Sequence, residues 1–196
     1  MLKRLFDIVA SFTGIVFLSP ILLLICAFQV ISSGFPIFYL QTRVGKNNMD
    51  FRLFKFRTMI IQSDKLGLLT VGGRDPRVTK LGYYLRKYKI DELPQLFNVL
   101  FGTMSLVGPR PEVRKYVDLY NKEQLQVLNV KPGITDYASL QFINENDLLA
   151  QSSNPEKTYI EEIMPKKLEL NLKYIKDNSL AVDLSIILKT IQKIIK

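Results

Sequence analysis

The sequence predicts an α-rich α+β protein: an N-terminal membrane helix at residues 1–35 and a small domain outside the lipid at 36–196. Three observations carry this. No charged residue falls between Ile8 and Thr42. The remaining chain is long enough to bury one core. Its apolar residues recur mostly at helical spacing, with one short alternating stretch at 51–58.

The membrane segment comes first. Ile8–Ile31 is nearly continuous apolar chain, and as a helix it would extend about 36 Å, against roughly 30 Å for a hydrocarbon core. Lys3 and Arg4 precede it as in a signal peptide, but no small-residue cleavage site follows. In its middle, Ser19-Pro20 takes away the helical bond to the Val16 carbonyl, and the Ser19 hydroxyl is placed to bond a nearby carbonyl instead. Both flanks are basic: Lys3 and Arg4 before, Arg43, Lys46, Arg52, Lys55 and Arg57 after. By the positive-inside rule both ends belong on the cytoplasmic side. A broken helix that enters and returns satisfies this better than a straight span, and both remain open on the residues alone.

Composition narrows the chemistry of the rest. The 196 residues contain no histidine and one cysteine, Cys26. This removes histidine bases, zinc sites and a disulfide framework. The net charge of +9 is uneven. Residues 1–115 hold 17 Lys/Arg against 7 Asp/Glu, and residues 116–196 hold 10 against 11. The first part therefore expects an anionic partner: phosphate esters, acidic lipid or nucleic acid.

Gly34 and Pro36 end the membrane helix. FRLFKFRT (51–58) is expected to be a strand with Lys55 and Arg57 on one face, Phe54 and Phe56 on the other. Residues 64–76 are loop-like. Thr79 is a good N-cap for a helix to about Tyr88, with Leu81, Tyr84, Leu85 and Tyr88 on its apolar face. Arg74, Arg77, Lys80, Arg86, Lys87 and Lys89 make 74–89 strongly basic, against Asp75 alone. Beyond Pro111 a polar helix is expected over about 112–127, then a turn at KPGIT (131–135). Helices are expected at 155–164 and from Pro165 to about Asp177. The last stretch, 180–196, is amphipathic. Leu184, Ile187, Leu188, Ile191 and Ile195 share one face, and Lys189, Lys193 and Lys196 lie on another. It either packs on the domain or lies at the membrane interface.

The chemistry points to 90–111, IDELPQLFNVLFGTMSLVGPRP. Pro94 suits the first turn of a helix, which puts Asp91 and Glu92 at its N-terminus. Acidic capping is the ordinary explanation for such a pair. The basic run before it and Arg110 held between two prolines add a multiply charged anion to the picture. Carboxylate plus arginine, without histidine, is the equipment of Mg²⁺-assisted phosphoryl transfer, and a carboxylate can itself be the nucleophile.

KFRTM (55–59), RDPRVTKLGYYLRK (74–87), DELPQLFNVLFGTMSLVGPRP (91–111) and KPGIT (131–135) together resemble the bacterial sugar transferases. More closely, the chain resembles the small monotopic phosphoglycosyl transferases that start glycan assembly. The resemblance covers nearly the whole chain. It implies transfer of sugar-1-phosphate from a UDP-sugar to undecaprenyl phosphate, with release of UMP. By it Asp91 is the nucleophile that carries a covalent phospho-sugar, and Glu92 is the catalytic partner that holds Mg²⁺. Lys55, Arg86, Gln95 and Arg110 contact phosphates. Ser19 and Pro20 break a re-entrant membrane helix, which makes the fold monotopic with amphipathic helices at the interface. The implied location is the bacterial inner membrane, with the catalytic domain on its cytoplasmic face. Partners beyond lipid headgroups, a second copy or downstream glycosyltransferases, stay open, and the resemblance leans to an N-acetylated amino sugar. After KPGIT the chain leaves the pattern. Relatives continue with a Trp-containing stretch and an Asn-Gly-Arg-Asn type turn, where this chain has TDYASLQFINENDLL (135–149).

Three other readings compete. A non-catalytic membrane-tethered partner of a glycan assembly complex would tolerate loss of Asp91. The same core with a hydrolytic outcome would yield no lipid product. Nucleic-acid binding has the charge but no recognisable motif, so no nucleic acid is expected as a partner.

Overall fold

A computed structural model describes residues 1–63, 67, 69–72 and 75–195. Arg74, Lys196 and parts of the 64–76 loop lie outside the described residues. Helix α1 runs Leu2–Ser33 and is long and apolar enough to cross a membrane. It continues through Pro20, and the Ser19 hydroxyl donates to the Val16 carbonyl at 2.8 Å. That is the carbonyl a proline at position 20 leaves without its amide partner.

The polar residues of α1 dock on the domain near both ends. Lys3 pairs with Asp183, and Arg4 donates to the carbonyls of Val99 and Leu100. Buried Asp7 accepts from the Ser105 hydroxyl and the Leu106 amide. At the far end, buried Gln29 donates to the Arg57 carbonyl. The Arg57 guanidinium in turn satisfies the carbonyls of Ser33 and Gly34 at the helix C-terminus and of Phe35 just past it. Between these ends Val16, Phe17, Leu23, Leu24 and Phe28 are exposed.

Strands β1 (Phe38–Val44) and β2 (Asp50–Phe56) form an antiparallel hairpin, Phe38 opposite Phe56 and Val44 opposite Asp50. The clean alternation expected for 51–58 is corrected. Leu53 and Phe56 are both buried although they point to opposite faces. The reason is cover on each side: Leu53 packs on Val99 and Met104, and Phe56 stacks on Phe38. Arg57 is also buried, by its grip on α1.

Helix α2 (Lys80–Lys87) starts at Thr79, whose hydroxyl accepts the Gly82 amide. Helix α3 (Gln95–Phe101) follows a 3₁₀ turn at Ile90–Glu92. Strands β3 (Ser105–Val107) and β4 (Gly133–Thr135) pair in parallel, so KPGIT is a strand where a turn was expected. The helix expected over 112–127 is also corrected, to α4 (Arg114–Val117) and a 3₁₀ stretch at Gln124–Asn129. Asn121 and Gln124 each accept the other's amide, which starts a new turn and ends the first helix.

Helices α5 (Tyr137–Gln141), α6 (Glu145–Ala150) and α7 (Pro155–Thr158) lead through a π-helical turn at Tyr159–Ile163 into α8 (Met164–Asp177). The final α9 (Leu180–Ile195) packs through Ile186 against Val107 and Tyr174. Of the expected apolar stripe, Ile187 packs there as well, while Leu184, Leu188 and Ile191 remain exposed. The largest core cluster joins Val113, Tyr116 and Val127 to Tyr159, Ile163, Met164 and Leu168.

Candidate active site

The chain turns sharply at Lys89, whose left-handed backbone (φ 56°) separates α2 from the 3₁₀ turn at 90–92. Pro94 (φ −60°) then leads into α3, as its fixed φ allows. Asp91 and Glu92 therefore sit where a helix N-terminus favours negative charge.

Two cations close on Glu92. Lys55 from β2 approaches Oε1 at 3.0 Å. The Arg110 guanidinium takes both oxygens, one at 3.1 Å and the other closer still. Asn98 fixes the approach of Lys55. It donates to the Arg52 carbonyl at 2.7 Å and accepts the Phe54 amide at 2.9 Å, which locks β2 onto α3. Leu53 on the same strand face as Lys55 packs on Val99.

The loop that carries Arg110 is held main chain to main chain. The Ser105 amide donates to Pro132, Gly133 to Pro109 and Gly108 to Thr135, all within 3.1 Å. A Cβ on Gly133 would lie 2.1 Å from the Gly108 nitrogen, so only glycine permits this approach. KPGIT is thus the scaffold for GPRP.

Asp91 is 8 % exposed, and no described residue donates a hydrogen bond to its carboxylate. Burial and then the adjacent Glu92 charge push its carboxyl above the ordinary range, while Lys55, Arg86 and Lys89 pull the other way. Burial also acts to raise Glu92, but Arg110 and Lys55 outweigh it and hold Glu92 well below its usual value. Burial lowers Lys55, opposed by Glu92. Glu92 in turn keeps Arg110 more firmly protonated. One carboxylate is neutralised and fixed; its neighbour is desolvated and left open.

Among the residues expected at the site, Asp91, Glu92, Lys55 and Arg110 form this cluster directly. Arg86 bonds the Thr70 hydroxyl at 2.8 Å and acts on Asp91 through its charge. Gln95 lies one turn beyond Asp91, 1 % exposed, and its side-chain amide nitrogen has no partner. A buried donor without an acceptor costs free energy unless something arrives to accept it. Ser19 and Pro20 lie elsewhere, inside α1. Asn98 and Asp136, which accepts the Arg110 amide, were not anticipated. The signal available for Asn98 was a lone polar residue inside the apolar run LFNVLF.

A carboxylate among fixed cations, with an unsatisfied amide donor nearby, is suited to receive a phosphate ester. A family model for the bacterial sugar transferases matches residues 1–196. The chain is 39 % identical over 197 residues to the UDP-N-acetylgalactosamine-undecaprenyl-phosphate N-acetylgalactosaminephosphotransferase of Aeromonas hydrophila, covering 99 % of this chain and 44 % of that protein. It is 38 % identical over 195 residues to the uncharacterized sugar transferase EpsL of Bacillus subtilis, covering 100 % of this chain and 88 % of that one. Against the UDP-glucose:undecaprenyl-phosphate glucose-1-phosphate transferase of Escherichia coli K12 the identity is 36 % over 202 residues, 98 % of this chain and 40 % of the relative. The chain thus spans less than half of two of these relatives and most of the third. With the family model matching end to end and a relative of similar length aligned throughout, the chain belongs to the bacterial sugar transferase family.

Proposed function

We propose that this chain transfers sugar-1-phosphate from a UDP-sugar to undecaprenyl phosphate, releasing UMP, at the cytoplasmic face of a bacterial inner membrane. The observation that carries the reading is Asp91, buried among cations with its carboxylate free of described hydrogen-bond donors. In the first step an Asp91 oxygen attacks the phosphorus that bears the sugar. The bond from that phosphorus to the oxygen of the uridine-bearing phosphate breaks, and UMP leaves. In the second step a phosphate oxygen of the lipid attacks the same phosphorus, forming the lipid diphosphate sugar and freeing Asp91.

Lys55 and Arg110, which neutralise Glu92 in the resting site, turn to the donor phosphates as these enter. Arg86 and the unpartnered Gln95 amide supply further donors. The donor set fits Mg²⁺, which is commonly held by one or two carboxylates with substrate phosphates completing its shell. No group of three or more metal-binding side chains occurs among the described residues, and none is needed for that mode. Glu92 would hold the ion, which supplies charge neutralisation of the diphosphate and of the departing UMP.

The docking of α1 supports a re-entrant segment. Asp7 and Gln29 are 22 residues apart, about 33 Å along a straight helix, close to the full hydrocarbon thickness. Both are nonetheless buried against the same domain, while Phe12, Val16, Phe17, Leu23, Leu24 and Phe28 between them are exposed. A helix that enters one leaflet and returns would bring the lipid phosphate to the level of Asp91.

The test is UMP release in detergent with Mg²⁺, undecaprenyl phosphate and a panel of UDP-sugars. Release that depends on both lipid and Asp91 is expected. Equal release by Asp91→Asn would refute the mechanism.

A further inference from the structure

We propose that Asp136 is the positioning residue of Arg110, holding the main chain of the Pro109-Arg110-Pro111 triplet so that the guanidinium meets Glu92 and the incoming phosphates. This rests on the reaction proposed above. Pro109 and Pro111 have no amide hydrogen, so Arg110 offers the triplet's one main-chain N–H donor. Its acceptor is Asp136 Oδ2, at 3.2 Å.

The geometry shows how the bond arises. β4 is laid beside the Arg110 loop by the amide bonds from Ser105, Gly108 and Gly133. Past Thr135 the strand ends, and its next contact with the loop comes from a side chain. Asp136 is fully buried, and its other oxygen accepts the Ser139 amide at 2.6 Å, capping α5. One carboxylate therefore ties the scaffold strand, the first turn of α5 and the arginine loop together. The prolines fix φ on either side of the arginine, and the Asp136 bond fixes the remaining freedom of the peptide plane. The Asp136 charge, with those of Glu92 and Glu145, adds to the hold on the Arg110 proton.

Asp136→Asn keeps size and leaves an oxygen to cap α5, but turns an NH₂ group toward the Arg110 N–H. Asp136→Ser keeps the cap and is too short to reach Arg110. For each, kcat/KM of UMP release should fall about 100-fold, the scale of a 1 Å misplacement. In an Arg110→Ala background the same changes should cost less than about twofold, since nothing is left to position. Full multiplication of the two effects, or parent-like activity of both Asp136 variants, would overturn the proposal. A second readout needs no substrate: phenylglyoxal modification of Arg110, followed by peptide mass spectrometry. It should accelerate severalfold in both variants while Arg43 is unchanged, and an unchanged Arg110 rate would also overturn the proposal. If the parent released no UMP from any donor, the proposed reaction would fail while the modification rates still decided the role of Asp136.

Discussion

Asp91 and Glu92 are adjacent in the chain, yet one 3₁₀ turn gives them opposite surroundings. Glu92 is gripped by Lys55 and by both arms of Arg110. Asp91 is as deeply placed but receives charge only at a distance, from Lys55, Arg86 and Lys89. The difference teaches how a site without histidine divides labour. A carboxylate with strong partners is a fixed charge that organises phosphate-binding cations. A carboxylate denied partners keeps its oxygen available, and its desolvation raises its basicity and hence its reactivity toward phosphorus.

The largest expected effect breaks the comparison outright. Asp91→Asn should lower turnover on the order of 10⁴-fold or more, as loss of a nucleophile does, with the thermal transition little changed; steady-state UMP release checks this. Glu92→Gln should cost less, about 10²- to 10³-fold, because the nucleophile survives while Lys55 and Arg110 lose their anchor. Its Mg²⁺ requirement should also weaken, read from rate against metal concentration. Arg110→Lys keeps the charge but not the two-armed geometry, and should cost about 100-fold, or roughly 2.7 kcal/mol in the barrier.

The acid side of the pH profile sharpens the same contrast. Because the Asp91 carboxyl is raised, the acid limb of kcat/KM should lie above the ordinary aspartate value of 3.8. Glu92→Gln removes the second cause of that rise, so the limb should move to lower pH. The stability signs are opposite for the two groups. Glu92, held below 4.5, contributes stability that is present above that pH and lost as pH falls through its folded value. Asp91, raised, contributes stability that is present below 3.8 and lost as pH rises through its folded value. Acid unfolding of the parent against Glu92→Gln would measure the first. The smallest effect on rate concerns α1. Pro20→Ala restores the helical bond to Val16 and should favour a straight span, which cysteine labelling would detect as an N-terminus moved to the outer face.

The site's key charges could be read in the sequence because they announce themselves locally: DE before LP, an arginine between prolines, a basic run leading in. Thr79 and the long helices α8 and α9 were legible for the same reason, a cap or a sustained period. The parallel pair β3–β4 was not. Three residues per strand carry no periodicity, and their pairing joins positions 28 apart. Nor were Asp7, Gln29, Asn98 and Asp136 assigned roles, since a buried polar side chain is explained by a partner distant in the chain. The membrane stretch hid two of them, Gln29 as a minor interruption of the apolar run and Asp7 as the residue just before it. Their bonds to Leu106 and Arg57 are what tie that run to the domain.

The division of labour between the two carboxylates is tested most directly by intact-protein mass spectrometry after incubation with Mg²⁺ and a UDP-sugar, without lipid acceptor. The parent should gain the mass of one sugar phosphate, mapped to Asp91 and discharged when undecaprenyl phosphate is added, and Asp91→Asn should gain nothing. An adduct mapped to Glu92, or lipid-linked product formed by Asp91→Asn at the parent's rate, would contradict the account.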